Sequence, residues 1–151
     1  MSGECHPCAN NEQVDELPPR ECIHLEGGWR VAHAFNSTLP GWLVLVPMRH
    51  VTSMDELTAQ ESEAMGLLAR KASIALREVT GCSKTYLMLF AEAEGFAHLH
   101  VHVVPRMPDL ESDVLGPRVF AYLSDDQDEW IAEGERDAIG MRLRLAMSTV
   151  R

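Results

Sequence analysis

The chain has 151 residues, of which 46% are hydrophobic and 24% charged; this profile predicts a soluble globular protein and excludes a chain disordered throughout. Its 13 basic and 23 acidic side chains give a formal net charge of −10, so we expect no non-specific nucleic-acid binding, because a general basic surface is lacking. The longest apolar run is far below the ~20 residues of a membrane-spanning helix, so we expect no membrane association.

The first ten residues, MSGECHPCAN, lack the basic start and apolar core of a secretory signal, and we therefore expect a cytoplasmic protein. In that compartment we expect thiols or metal ligands rather than a disulfide framework from the four cysteines, which are Cys5, Cys8, Cys22 and Cys82. The length predicts a single domain over residues 1–151, with a polar N-terminal segment at 1–20 and a C-terminal extension containing a helix at 107–151.

The first half of the chain after this segment is rich in predicted strands. Residues 22–25 predict a short strand, and Gly27-Gly28 predicts the hairpin turn that leads to a second strand at 29–35. The sequence NSTLPG at 36–41 has the composition of a turn. A short buried strand is predicted at 43–46, where Pro47 ends it.

Residues 58–80 give the clearest helix prediction. Thr58 and Glu61 form a capping-box pattern, and Gly81 is a natural stop. Apolar residues recur every three or four positions and so share one face: Met65, Leu68, Ala72, Leu76 and Val79.

The second half adds strands at 85–91 and 97–104 and a helix at 127–146. The order of strands, helix, strands and helix, with hairpin turns, predicts an α+β fold. We expect an antiparallel sheet of about five strands with one long helix and a C-terminal helix.

Three histidines, His98, His100 and His102, alternate with apolar residues in the last predicted strand. Alternate side chains of a strand point to opposite faces, so the histidines share one face and Leu99, Val101 and Val103 enter the core. A half-exposed strand without function and a three-histidine metal site are both possible. Same-face residues lie ~7 Å apart, however, which favours different roles for the three rings over a shared ion.

The string HLHVHVV at 98–104 resembles the signature of the histidine triad (HIT) superfamily of nucleotide hydrolases and transferases. Residues 39–50, LPGWLVLVPMRH, are similar to the family's loop, strand and Pro-x-x-His segment, and the helix from Thr58 lies where the family has its long helix. The resemblance covers about residues 20–106. It implies a HIT-like fold, a homodimer and a nucleotide substrate.

The resemblance also implies a chemistry. His100 would attack the α-phosphorus of a dinucleoside polyphosphate or a nucleoside phosphoramidate, forming a covalent nucleotidyl-histidine that is hydrolysed or transferred. A backbone carbonyl near His98 would accept the Nδ1–H of His100 and leave Nε2 free. His102 would bond the phosphate or the leaving group, where positioned donors stabilise charge.

The candidate substrate-binding residues lie in two predicted loops of this chain, within the region that resembles the family. Phe35, Asn36 and Trp42 belong to the NSTLPG turn and its flanks, where aromatic rings suit base stacking, although core packing is the alternative use. Glu94 and Gly95 stand where the family has Gln and Ser or Thr. Trp42 replaces a loop histidine, and Ala34 replaces a ribose-binding acid, which changes the expected nucleotide preference.

Cys5 and Cys8 form a C-x-x-C motif, which alone fits a redox pair, a metal knuckle or no function. The redox interpretation is weak because no βαβ unit follows. His50 and His98 are the best candidates for a second ligand pair, and several HIT branches are similar in this layout. The resemblance therefore implies a zinc ion on Cys5, Cys8, His50 and His98. With four protein ligands it would be structural and would pin residues 1–20 to the sheet.

Two other functions remain open from the sequence. The chain is also compatible with a nucleotide-binding or sensor module that has lost turnover through its changed loop residues. A third possibility is a zinc-dependent hydrolase in which the triad binds the metal and a water is activated. His24 and His33, on the early strands, are expected to be ordinary half-buried histidines.

Overall fold

Within the described residues, five strands form one antiparallel sheet, in the order β1 (His24–Glu26), β2 (Trp29–His33), β3 (Leu43–Pro47), β5 (Val101–Arg106) and β4 (Lys84–Met88). The structure, a computed structural model, describes residues 4–151. The sheet and three α-helices confirm the predicted α+β fold with one long helix and a C-terminal helix. The elements are α1 (His6–Glu12), β1 (His24–Glu26), β2 (Trp29–His33), β3 (Leu43–Pro47), α2 (Ala59–Thr80), β4 (Lys84–Met88), β5 (Val101–Arg106) and α3 (Glu133–Ser148).

The hairpin between β1 and β2 forms at the predicted glycines. Gly27 and Gly28 have φ values of +60° and +82°, which suit a tight two-residue turn and which side-chain-bearing residues rarely adopt. A Cβ atom on Gly27 would lie 2.6 Å from the Cβ of Ala64 in α2. The turn thus lets the helix approach the sheet closely.

The long helix α2 begins and ends as its sequence predicts. Thr58 caps it by accepting from the Glu61 amide, the Glu61 carboxylate accepts from the Thr58 amide, and Gly81 ends it with φ +75°. Its predicted apolar face is confirmed, with Leu68, Ala72 and Leu76 fully buried against the sheet. Burial of this face is what stabilises the helix in the fold.

The two faces of the sheet are covered differently. On one face, α2 and α3 enclose the main core, to which Leu143 and Met147 of α3 contribute. On the other face, the 3-10 helix Gly116–Tyr122 covers part of the sheet, with Val119 buried against Trp42 and Val104. Within residues 4–151, no helix is both long enough and apolar enough to cross a membrane.

Several element bounds differ from the predictions. β5 begins at Val101 rather than residue 97, because the register that pairs Leu45 with Val101 would, two residues further along, bring Pro47 opposite Leu99. Proline has no N–H to donate, so the ladder ends there, and the Leu99 amide donates to the carbonyl of Val51 instead. β4 ends at Met88, where its pairing with β5 ends, rather than at residue 91.

The bounds of two other elements also differ from the predicted bounds by a few residues. β2 ends at His33 instead of residue 35. The C-terminal helix begins at Glu133 instead of residue 127. Trp130 and Ala132 have ψ values of 145° and 148°, so the chain is extended between the 3-10 helix Gln127–Glu129 and α3. The amide of Ile131 donates to the Ser37 carbonyl there, which ties this extended stretch to the loop after β2.

Candidate functional site

Four side chains from three parts of the chain converge on one point. Cys5 and Cys8 lie three residues apart at the start of α1, so their sulfurs share one side of the helix. His50 follows β3, and His98 precedes β5. Their ligand atoms all lie within 4.8 Å of one another. The structure thus brings together the four residues that the sequence predicts as a metal-binding set.

The spacing of these atoms fits a tetrahedral ion. The Sγ atoms of Cys5 and Cys8 lie 3.2–3.6 Å from the Nδ1 atoms of His50 and His98. The two Nδ1 atoms are 3.2 Å apart. A zinc tetrahedron with the usual bond lengths has S–N edges of about 3.5 Å and N–N edges of about 3.3 Å. The observed edges agree with these values.

The ring of His98 is held in the tautomer that a metal requires. Its Nε2 lies 2.8 Å from the carbonyl oxygen of Pro47, which can only accept, so Nε2 carries the proton. Nδ1 therefore presents its lone pair to the cysteines, the usual arrangement for a ligating histidine. The ring is fully buried, and burial lowers the pKa of His98, which favours the neutral ring.

The two sulfurs would need a cation between them to lose both protons. Burial raises the pKa of the Cys8 thiol to about 11, and the adjacent Cys5 adds to the rise. Two neighbouring sulfurs would both become thiolates only beside a positive charge that offsets their repulsion. A divalent ion supplies that charge, and the soft donor set suits zinc.

A buried amide docks α1 onto the sheet beside this cluster. The side-chain nitrogen of Asn11 donates to the carbonyls of Pro47 and Met48 at 3.1 and 3.2 Å, and its oxygen accepts from Arg30 at 2.9 Å. Sequence reasoning missed both α1 and Asn11. A seven-residue helix is too short to show periodicity, and Pro7 in its first turn is the only start signal that the sequence carries.

His100 has the hydrogen bond that was predicted for a nucleophile. Its Nδ1 lies 2.9 Å from the carbonyl oxygen of His98, so Nδ1 carries the proton and Nε2 holds a free lone pair. The side chain is only partly buried, which leaves it accessible to a ligand. His98 thus belongs to the Cys5–Cys8–His50–His98 cluster through its ring, and its backbone carbonyl accepts from His100.

His102 lies beside His100 with ring centroids 5.0 Å apart. The indole Nε1–H of Trp42 donates to Nδ1 of His102 at 2.9 Å, and Phe120 packs edge-on against the same ring. His102 is 8% exposed, and burial lowers its pKa to about 4, with His100 adding to the effect. The predicted core residues Leu99, Val101 and Val103 lie on the opposite face, as expected.

The predicted substrate-binding residues are placed as follows. Phe35 is 38% exposed and packs on Phe96 and Trp130. Asn36 is half-buried, and Glu94 and Gly95 lie in the loop that leads to Phe96, where Glu94 is exposed. Phe35 and Phe96 stack with centroids 5.5 Å apart, which brings the two predicted loops together.

Trp42 is fully buried and therefore has no surface with which to stack on a base. Its bond to His102 spans 60 residues of sequence, and sequence reasoning missed it. His33 is also buried, with Nδ1 donating to the Ala34 carbonyl and Nε2 accepting from the Gly41 amide. It bridges β2 to the following turn, which is the structural use expected of it, but it is buried rather than half-buried.

Residues 19–109 match the HIT domain family, and the chain belongs to that family. Among curated proteins, no sequence matches significantly.

Solved structures of HIT proteins share the fold. A Hit-like protein involved in cell-cycle regulation from Bartonella henselae superposes with a TM-score of 0.69 at 15% identity, covering 91% of this chain and 93% of that one. A zinc-bound histidine triad family protein from Mycobacterium smegmatis gives 0.67 at 19% identity, covering 95% and 93%. A hypothetical histidine triad nucleotide-binding protein from Sulfolobus tokodaii gives 0.68 at 12% identity, covering 95% and 92%.

Proposed function

We propose that this HIT protein hydrolyses or transfers nucleoside monophosphate groups through a covalent intermediate on His100. The observation that carries the proposal is the 2.9 Å contact between Nδ1 of His100 and the His98 carbonyl. It fixes the proton on Nδ1 and leaves the Nε2 lone pair free on an accessible ring. A neutral imidazole in this tautomer is a nucleophile at neutral pH without a separate base.

The proposed reaction has two displacements at the α-phosphorus of a dinucleoside polyphosphate or nucleoside phosphoramidate. The lone pair of His100 Nε2 forms an N–P bond, and the leaving group departs with the electron pair of its own bond to phosphorus. Water or another acceptor then attacks phosphorus, the N–P bonding pair returns to Nε2, and the acceptor loses its proton to solvent. His102, adjacent to His100, is proposed to stabilise charge on the phosphoryl group.

We propose that the substrate also meets the two loops that Phe35 and Phe96 join. The exposed part of Phe35 is suited to the base, and Asn36, Glu94 and Gly95 border the same region. Ala34 offers no carboxylate to a ribose. Trp42, being buried, acts through His102 rather than on the base.

We propose a structural zinc ion on Cys5, Cys8, His50 and His98. The tetrahedral spacing of the donors and the fixed His98 tautomer support it. Bound there, zinc would supply a fixed charge and a cross-link between α1 and the sheet, and four protein ligands leave no open position for water. This argues against the zinc-dependent hydrolase, since His98 would share the ion with Cys5, Cys8 and His50, whereas His100 and His102 lie outside that donor set.

We also propose a homodimer built through β4. This strand forms an edge of the sheet, and Leu87 and Phe90 on and after it are 53% and 58% exposed. Unpaired edges with apolar side chains are surfaces on which a second copy pairs. Sedimentation at micromolar concentration tests this: wild type should run as a dimer and Leu87→Glu as a monomer, and a monomeric wild type would overturn it.

The proposed reaction is tested by rapid-quench mass spectrometry with dinucleoside polyphosphates, a nucleoside phosphoramidate and a sugar nucleotide. Wild type should show turnover and a nucleotidyl adduct, and His100→Ala should show neither. His24→Ala, a histidine on β1 outside the cluster, is the matched control and should behave as wild type. Zinc content measured in all three proteins separates loss of the nucleophile from loss of the metal. Tight binding without turnover or adduct would instead support the nucleotide-binding module.

A further inference from the structure

We propose that Trp42 is a positioning residue that fixes His102 as a permanent hydrogen-bond donor at Nε2. The proposal rests on the proposed nucleotide chemistry and gives His102 a defined protonation state within it. Trp42 lies directly before β3, and its fully buried indole meets His102 of β5 with ring planes 88° apart. The indole nitrogen and His102 Nδ1 are 2.9 Å apart.

The chemistry of the indole decides the tautomer. An indole N–H donates and has no lone pair with which to accept, so Nδ1 of His102 must accept. In the neutral ring the proton therefore lies on Nε2. Either the other tautomer or the imidazolium would place an N–H of His102 against the N–H of Trp42 in a buried position, leaving two donors unsatisfied.

The surroundings of His102 oppose the charged form from every side. Met88 of β4 and Val44 of β3 flank it in the sheet, and Phe120 packs against its ring at 5.3 Å. A charge on the neighbouring His100 would also repel an imidazolium. No carboxylate among these neighbours compensates a positive ring, and desolvation therefore favours the neutral form.

The remaining nitrogen is free for a ligand. Within residues 4–151 Nε2 of His102 has no hydrogen-bond partner, and the residue is 8% exposed to solvent. The ring lies 5.0 Å from that of His100, where a phosphoryl group under attack would sit. His102 thus offers an N–H to a phosphate oxygen without a competing internal acceptor. Such a preset donor stabilises developing charge without reorganisation.

A fixed neutral donor also restricts the leaving group. To act as a general acid, His102 would have to give up its only proton and become an imidazolate, because Trp42 cannot pass it another. Leaving groups that depart as stable anions, such as nucleoside polyphosphates, need no such proton. Amines leaving from a phosphoramidate do need one. The site is therefore matched to dinucleoside polyphosphates rather than to phosphoramidates.

The tautomer is measured directly by nitrogen NMR of histidine-labelled protein, with the His102 signals assigned by their loss in His102→Gln. Wild type should show an unprotonated Nδ1 and a protonated Nε2, and Trp42→Phe, which keeps an aromatic ring but lacks the donor, should show a mixture of tautomers. Trp29→Phe is the matched control, since Trp29 is another fully buried indole, whose N–H donates to the Glu61 carbonyl away from His102. Its His102 signals should be unchanged.

A protonated Nδ1 in wild type would overturn the proposal, as would an unchanged tautomer in Trp42→Phe. The tautomers of His102 in wild type and in Trp42→Phe are both measured without turnover. Failure of this proposal is therefore distinguishable from failure of the proposed reaction. If Trp42→Phe fails to fold, the wild-type spectrum by itself still decides which nitrogen of His102 carries the proton.

The kinetic consequence is tested with the same variants. Trp42→Phe should slow formation of the His100 adduct by about 10²-fold, the scale of losing one preset donor, and Trp29→Phe should not.

The leaving-group preference is tested by comparing substrates. Wild type should turn over a dinucleoside polyphosphate faster than a matched phosphoramidate, and Trp42→His, whose ring can also accept a proton, should narrow the ratio of these two rates. A wild type that prefers the phosphoramidate would overturn the leaving-group assignment.

Discussion

His98 donates from its ring to the carbonyl of Pro47, at 2.8 Å, while its own carbonyl accepts from the ring of His100. One residue therefore orients both a candidate metal ligand and the candidate nucleophile. The Pro47 carbonyl is free for this bond because it lies where the β3–β5 ladder ends. A change at the Cys5–Cys8–His50–His98 cluster should thus be transmitted to His100 through the His98 carbonyl.

Loss of one thiol should remove the metal. Cys8→Ser is expected to abolish stoichiometric zinc binding, because serine is a poor zinc ligand, and to lower the midpoint of thermal unfolding. Zinc content and unfolding temperature are the measurements. Cys22→Ser, which changes a partly buried cysteine outside the cluster, is the control and should retain one zinc per chain. Equal zinc content in both variants would contradict the ligand assignment.

The buried amide of Asn11 should stabilise both the fold and the metal site. Asn11→Ala leaves the Arg30 Nε–H without its acceptor and removes one donor from each of the Pro47 and Met48 carbonyls, at a cost of about 1–3 kcal/mol in the free energy of unfolding. Faster loss of zinc to a chelator should accompany it. Asn10→Ala, one residue earlier in α1 with a single 3.5 Å contact, should change both quantities little.

Those features of the fold that depend on a local residue pattern can be predicted from the sequence. The period-two alternation places Leu99, Val101 and Val103 in the core, and the capping box fixes the start of α2 at Thr58. The C-x-x-C and Pro-x-x-His spacings predict the metal cluster through resemblance, and the structure brings those four residues together.

The features that the sequence does not predict arise from contacts between distant residues. Asn11 meets Pro47 across 36 positions, and Trp42 meets His102 across 60, so no local pattern reports either bond. The start of β5 depends on the β3–β5 register, in which Pro47 would stand opposite Leu99. That register is set by the assembled sheet and not by a local pattern.

Stability should fall in mild acid because of His33. Burial lowers the pKa of His33 to about 4, from its ordinary 6.5. Between these values the unfolded chain binds a proton that the folded chain does not, so stability is complete above pH 6.5 and decreases as the pH falls toward 4. At pH 5 the expected loss from this residue is about 2 kcal/mol.

Chemical denaturation at pH 7 and pH 5 measures this effect. His33→Gln should lose less stability between the two values than wild type does, although His102, whose pKa is also lowered to about 4, keeps part of the dependence in both proteins. An identical dependence in His33→Gln and wild type would rule out His33 as its source.

The capping box of α2 should contribute measurably to stability. Thr58→Ala removes the side-chain acceptor of the Glu61 amide and is expected to cost about 1 kcal/mol. Thr58→Ser, which keeps the hydroxyl, should cost much less. Denaturant midpoints of the three proteins compare these values. A loss in the serine variant as large as that in the alanine variant would assign the effect to packing instead of the cap.

A side chain at Gly95 should loosen the metal cluster. Gly95 has φ +78°, and a Cβ there would lie 3.0 Å from the His6 ring, which stacks on Phe96 with centroids 4.9 Å apart. His6 lies between the two cysteine ligands, so its displacement moves α1. Gly95→Ala is therefore expected to cost about 1–2 kcal/mol of backbone strain and to accelerate zinc release.

Gly116→Ala separates these two effects. Gly116 also has a positive φ, +64°, but a Cβ there meets no atom within 4 Å. Gly116→Ala should therefore cost the same backbone strain as Gly95→Ala without changing the rate of zinc release. Unfolding free energies and the rate of zinc transfer to a chelator are measured for both variants. Equal zinc release from the two would mean that the His6–Phe96 contact does not connect the loop before the triad to the metal cluster; faster release from Gly95→Ala alone would establish that connection.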